Sequence, residues 1–169
     1  VSDWLVASEI KPDILKSRFG INLKKIPWDT LPDFREMTAP SEFVSAFSSG
    51  EPREVEKAGQ VFALLQSCIK KHDFHGVTVE CFSLVQTKSV SGCLALAMLN
   101  SEGFTAACEG DIASAVGMML SRELTGQVPW MANVAKLGYE KTLLAHCTIS
   151  PDLVSSFKIT THYETGIGT

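Results

Sequence analysis

One stretch constrains this chain more than any other: Thr105-Ala106-Ala107-Cys108-Glu109-Gly110-Asp111, running directly into the apolar pattern of residues 112–124. The small, apolar residues at its start suit a buried strand. Two carboxylates then flank a glycine, and a helical period begins at once. Ile112, Ala115, Val116, Met119, Leu120 and Leu124 fall at i, i+3, i+4, i+7, i+8 and i+12, one face of a helix. Asp111 stands where an N-cap is needed, because its side chain can accept from the orphan amides of the first turn. Gly126 and Pro129 end the element. Glu109 is thereby left at the tip of a strand, and in open α/β sheets ligands bind outside the carboxyl ends of strands.

The rest of the chain reads as an alternation of strands and helices. A first strand is expected over residues 4–7, then a short helix over 11–20 with Pro12 in its first turn and Gly20 at its end. Residues 21–27 alternate as an edge strand, and Pro32 and Pro40 break 28–47 into short helices and turns. Glu51-Pro52 opens the longest helix, whose stripe is Val55, Ala58, Phe62, Leu65 and Ile69. It closes on Lys70-Lys71-His72, where positive charge suits the helix dipole. From Gly76 a strand is expected in which Val77, Val79 and Cys81 alternate with Thr78, Glu80 and Phe82. A helix over 91–100, a strand over 104–108, the helix over 111–125, and strands over 128–133, 142–147 and 157–161 complete the series. This alternation predicts a single α/β domain over residues 1–169. Its expected form is a three-layer, Rossmann- or flavodoxin-like arrangement, with helices on both faces of a mainly parallel sheet.

Composition bounds the function. With 169 residues, 45% hydrophobic and 20% charged, the chain can bury one sizeable core. A net charge of −4 argues against a nucleic-acid or anionic-membrane surface. No apolar run approaches the roughly 20 residues of a membrane span, no stretch reads as a signal peptide, and the expected compartment is the cytoplasm. The five cysteines are scattered, without a CxxC pair, and read first as buried thiols. Thiolate zinc ligation by Cys108 and Cys147 with His146 is the minor alternative.

Further polar residues fall at the expected strand ends. Asn133 follows Trp130-Met131-Ala132, His146 follows Leu143-Leu144-Ala145, and His162 follows Thr160-Thr161 with Glu164 two residues on. If these strands run parallel to the one before Glu109, the four side chains share one rim. A carboxylate, imidazoles and an amide oxygen form a plausible ligand shell for Mn²⁺ or a similar divalent ion. Asp111 reads as a cap rather than a ligand, and His72 and His75 as solvent-facing.

Ala107-Cys108-Glu109-Gly110-Asp111, Pro129-Trp130-Met131-Ala132-Asn133, Leu143-Leu144-Ala145-His146-Cys147 and Thr161-His162-Tyr163-Glu164-Thr165-Gly166 resemble segments of the fucose isomerase and arabinose isomerase superfamily, most closely its fucose-isomerase-related branch. The resemblance implies a metal-dependent aldose–ketose isomerase, usually with Mn²⁺, acting on a sugar such as fucose or arabinose through an ene-diol. It places Glu109 at an acidic metal ligand that also serves as acid/base, and His146 at a histidine ligand. His162 stands near a further ligand position. Asn133 falls where a second acidic ligand and catalytic group is expected, a departure from the family pattern. The resemblance further implies that the chain is a piece of a longer, homo-oligomeric protein. A C-terminal domain beyond Thr169 would complete the site, so the piece alone is expected to be inactive. Asn133 favours one other reading, a non-catalytic sugar-binding or regulatory relative; a different carbohydrate reaction such as a lyase or epimerase is a third.

Overall fold

The computed structural model describes residues 10–162 and 166; the strand expected over residues 4–7, and Glu164, lie outside them. Helix α1 (Pro12–Phe19) forms as its proline and glycine predict. Pro12 occupies the first turn, and Gly20 takes a left-handed φ of 70° while its N–H closes on Leu15 and Lys16. Short 3₁₀ turns at Trp28–Thr30 and Phe34–Glu36 and helix α2 (Ser41–Ala46) follow, in the segment that the prolines break.

Helix α3 (Pro52–His72) is the spine of the core. Glu51 caps it, its carboxylate accepting from the Glu54 N–H at 2.9 Å. The buried face comprises Val55, Ala58, Val61, Phe62, Leu64 and Leu65. Gly59 lies on this face because Ala39 crosses there: a Cβ on Gly59 would sit 2.7 Å from the Ala39 Cβ. Phe43 stacks on Phe62 at 5.1 Å between ring centroids and tilts against Phe47 at 4.8 Å, which fixes α2 on α3.

Strands β1 (Gly76–Thr78) and β2 (Thr105–Ala107) pair in parallel, with Val77 opposite Ala106. Helices α4 (Cys81–Lys88) and α5 (Cys93–Ser101) make the crossover between them. The buried Asn100 side chain locks β2 to α5. Its amide donates to the Leu96 and Ala106 carbonyls at 2.9 and 2.7 Å, and its oxygen accepts from the Ala106 N–H at 3.1 Å. Helix α6 (Ile112–Thr125) packs on both strands, and its Ile112 and Val116 share a second small core with Leu15 of α1.

The chain is thus a mixed α/β structure with a two-stranded parallel sheet among its described residues. Several expected strands are replaced. Residues 21–27 and 157–161 form no strand. Cys81 begins a helix instead of continuing the strand from Gly76, because Glu80 acts as an N-cap, accepting from the N–H and hydroxyl of Ser83. Residues 128–132 form no strand either. Asn133 opens β3 (Asn133–Leu137), which folds back antiparallel on β4 (Thr142–Ala145). The Gly138 N–H donates to the Lys141 carbonyl at 3.0 Å and closes this hairpin, so the two segments are neighbours in one ribbon and not parallel strands. On α6, Leu120 and Leu124 are exposed and Met118 is buried, so the apolar stripe predicted from spacing extends past the face that packs. No described helix is long and apolar enough to cross a membrane.

Candidate functional site

Glu109 follows β2 in a conformation that side chains rarely adopt. Its φ is 63°, and Gly110 beside it is at 70°. A non-glycine residue in this left-handed region costs about 1 kcal/mol or more, and such residues concentrate at functional sites. Three contacts hold the turn. The Gly110 N–H donates to the Val79 carbonyl at 3.0 Å, the Asp111 N–H donates to the Cys108 carbonyl at 3.0 Å, and the Asp111 carboxylate accepts from the Ser114 N–H at 2.9 Å. Asp111 is therefore the cap of α6, as its position predicts.

The turn aims Glu109 at the hairpin. Its Oε1 stands 3.9 Å from Nε2 of His146, the residue that follows β4. The imidazole is almost wholly buried and is held on its other side by Thr148, whose Oγ1 is 2.9 Å from Nδ1. Asn133 reaches the same region through the hairpin register, since it pairs with Ala145. It is exposed, at the start of its strand rather than the end. His162, 7% exposed, comes in on the irregular segment that ends the described chain.

Around these residues gathers a group of sulfur atoms. Cys81 Sγ lies 3.3 Å from Cys108 Sγ, and Cys147 Sγ lies 3.9 Å from His146 Nδ1. Two sets of ligand atoms close to within 4.8 Å of one another: Cys93, Cys147 and His162, and Cys108, His146 and Cys147. Cys147 is held far below the ordinary thiol range by hydrogen bonds from the Cys108 and Cys93 thiols, with a smaller contribution from His146 opposing the cost of burial. Cys108 and Cys93 are pushed up, chiefly by donating to Cys147, with burial adding to both. Cys81 is lowered too, by the hydrogen bond from Cys108.

A cavity of about 490 Å³ opens beside this cluster, within the range of small-molecule sites. Phe47, Trp130, Leu144 and Phe157 supply apolar walls; Thr160, Thr161, Lys158 and both imidazoles supply polar groups. Ser101 anchors the wall by donating to the Asp152 carboxylate at 2.6 Å.

Of the residues predicted from sequence, Glu109 and His146 approach to 3.9 Å and His162 joins Cys93 and Cys147, whereas Asn133 pairs with Ala145 from an exposed position at the start of β3 and does not line the cavity. Cys93 is the residue that spacing does not reveal. It opens α5 and meets Cys147 and His162 only in the folded chain. No family model, curated protein or solved structure matches the chain.

Proposed function

We propose that this domain belongs to a metal-dependent aldose–ketose isomerase, with its chemistry at the rim formed by Glu109 and His146. The observation that carries the reading is the 3.9 Å approach of the Glu109 carboxylate to the His146 ring, reached through a strained backbone at Glu109. Strain of that kind persists only where the surroundings enforce it. In this reading Glu109 takes the proton from one carbon of a sugar and returns it to the neighbouring carbon. Thr148 fixes the His146 ring so that Nε2 stays on the side of Glu109. The cavity beside His146 offers threonine hydroxyls and aromatic surface, groups suited to a polyhydroxylated substrate; Glu109 does not line it and adjoins it through His146.

The donor set can be tested for Mn²⁺ or a similar ion. At 3.9 Å the Glu109 and His146 donors stand slightly farther apart than adjacent ligands of one divalent ion with bonds of about 2.0–2.2 Å, so a small approach would let them share it. Glu109 and His146 would hold it; when bound, the ion would supply Lewis-acid polarisation of the substrate oxygens. One carboxylate leaves a hard dication under-neutralised, which supports the expectation that further oxygen ligands come from another domain or subunit. The three-layer sheet belongs to the same proposal. Val134, Leu137 and Leu143 of the β3–β4 hairpin are apolar and exposed, as they would be if the hairpin joined a larger sheet or a homo-oligomeric contact.

The rival reading is a sugar-binding relative without catalysis. It is favoured by Asn133, whose amide neither neutralises a metal nor takes up a proton. One experiment separates them: fucose and arabinose turnover by the longest natural chain carrying these residues, with added Mn²⁺, after chelation, and as Glu109→Gln. Metal-dependent ketose formation that falls by about 10²–10⁴-fold in the variant supports the isomerase. Sugar binding without turnover supports the rival.

A further inference from the structure

We propose that Cys93, Cys147 and His162 form a site for Zn²⁺ or a comparable thiophilic divalent cation, with three protein ligands and a fourth position open to the cavity. The site does not depend on the isomerase reading, since it uses neither Glu109 nor turnover.

Distance, charge and position converge on it. The three ligand atoms lie within 4.8 Å of one another. Tetrahedral zinc with bonds of about 2.3 Å to sulfur and 2.0–2.1 Å to nitrogen sets its donors about 3.5–3.8 Å apart, so closure needs a movement of at most about 1.3 Å. Two thiolates and a neutral imidazole balance a dication, which matters because Cys93 is 4% and His162 is 7% exposed and an uncompensated buried charge is costly. Soft sulfur donors select a zinc-like ion over Mg²⁺ or Mn²⁺.

The ligands come from separate parts of the chain: the first residue of α5, the segment after β4, and the end of the described irregular stretch. A cation would tie them together. All three also line the cavity, whereas Cys108, the alternative sulfur, is fully buried, makes no part of the cavity wall and already lies against Cys81. Three protein ligands facing a cavity is the pattern of sites that keep a position for water or substrate; structural zinc sites are closed by four.

The test uses the chain itself, stripped with a chelator and kept reduced. Titration with Co²⁺ is expected to give thiolate-to-cobalt charge-transfer absorption and visible bands of a tetrahedral ion, with one cobalt per chain, all lost on adding Zn²⁺. Cys93→Ser, Cys147→Ser and His162→Gln should each weaken binding at least tenfold. Cys108→Ser and Cys68→Ser should leave the spectrum in place. Absence of charge-transfer absorption in the unsubstituted protein overturns the proposal. So does a spectrum abolished by Cys108→Ser and retained in Cys93→Ser, which would assign the ion to Cys108, His146 and Cys147. Should circular dichroism show a cysteine variant to be unfolded, zinc-edge X-ray absorption of the unsubstituted protein and of His162→Gln decides. Two sulfur neighbours with one nitrogen that is lost in His162→Gln support the site; nitrogen and oxygen alone, or a nitrogen retained in His162→Gln, refute it.

Discussion

The side-chain amide of Asn100 holds both backbone groups of Ala106, donating to its carbonyl at 2.7 Å and accepting from its N–H at 3.1 Å. β2 is thereby positioned by a side chain as well as by its strand partner, and β2 delivers Cys108 and Glu109 to the site. Asn100→Ala leaves a buried N–H and a buried carbonyl without this partner, at about 1–3 kcal/mol for each group. Chemical denaturation should show a loss of about 3 kcal/mol, and an unchanged midpoint would refute the role.

Glu109→Gly separates function from structure at the rim. The substitution removes a left-handed conformation that costs an L residue about 1–2 kcal/mol. It should raise the melting temperature while removing any metal-dependent turnover. A fall in stability would make Glu109 a structural residue.

Two helical glycines should respond with opposite signs. Nothing lies within 4 Å of a Cβ on Gly117, so Gly117→Ala should stabilise by about 0.5–1 kcal/mol. At Gly59 the same change meets Ala39 at 2.7 Å and Phe43 at 3.1 Å. Overpacking of this kind costs about 1–3 kcal/mol and outweighs the gain in helix propensity. Paired urea titrations check both, and equal shifts would contradict the close crossing of Ala39.

His72 is half-buried and lies against Lys24, with Nζ 3.0 Å from Nδ1, and is not the free solvent-facing ring its loop position predicts. Burial, then the Lys24 and Lys71 ammonium groups, lower its pKa below the ordinary 6.5. A depressed histidine pKa means that the stability gained from the neutral ring is present above the unfolded value and lost as pH falls through the folded one. Proton NMR should find His72 titrating below 6.5, and moving upward in Lys24→Ala. An unchanged value in the variant would rule the lysine out.

Local signals in the sequence carried a long way. The Glu51-Pro52 start of α3, the glycine end of α1, and the Asp111 cap all depend on neighbours a few residues apart, and all form as spacing predicts. Glu109 and His146 were legible because each follows a short apolar strand. The failures were tertiary. An alternating run through Cys81 looks the same whether Glu80 sits in a strand or caps a helix, and the Glu80–Ser83 contact decides it. Residues 128–133 and 142–147 look like two parallel strands in the sequence because the Gly138–Lys141 closure has no strong turn signature. Of the sulfur cluster, the sequence groups only Cys108 and Cys147 with His146, a set the fold does bring within 4.8 Å; Cys81 and Cys93 stand in separate elements and join them only in the folded chain.

The central claim, that the end of β2 and the β3–β4 hairpin together form a metal-holding rim, is tested most directly by anomalous scattering from crystals soaked in Mn²⁺ and, separately, in Zn²⁺. The account predicts a manganese peak between the Glu109 carboxylate and His146 Nε2, and a zinc peak among Cys93, Cys147 and His162. Manganese bound away from Glu109, or no metal at either position, would contradict it.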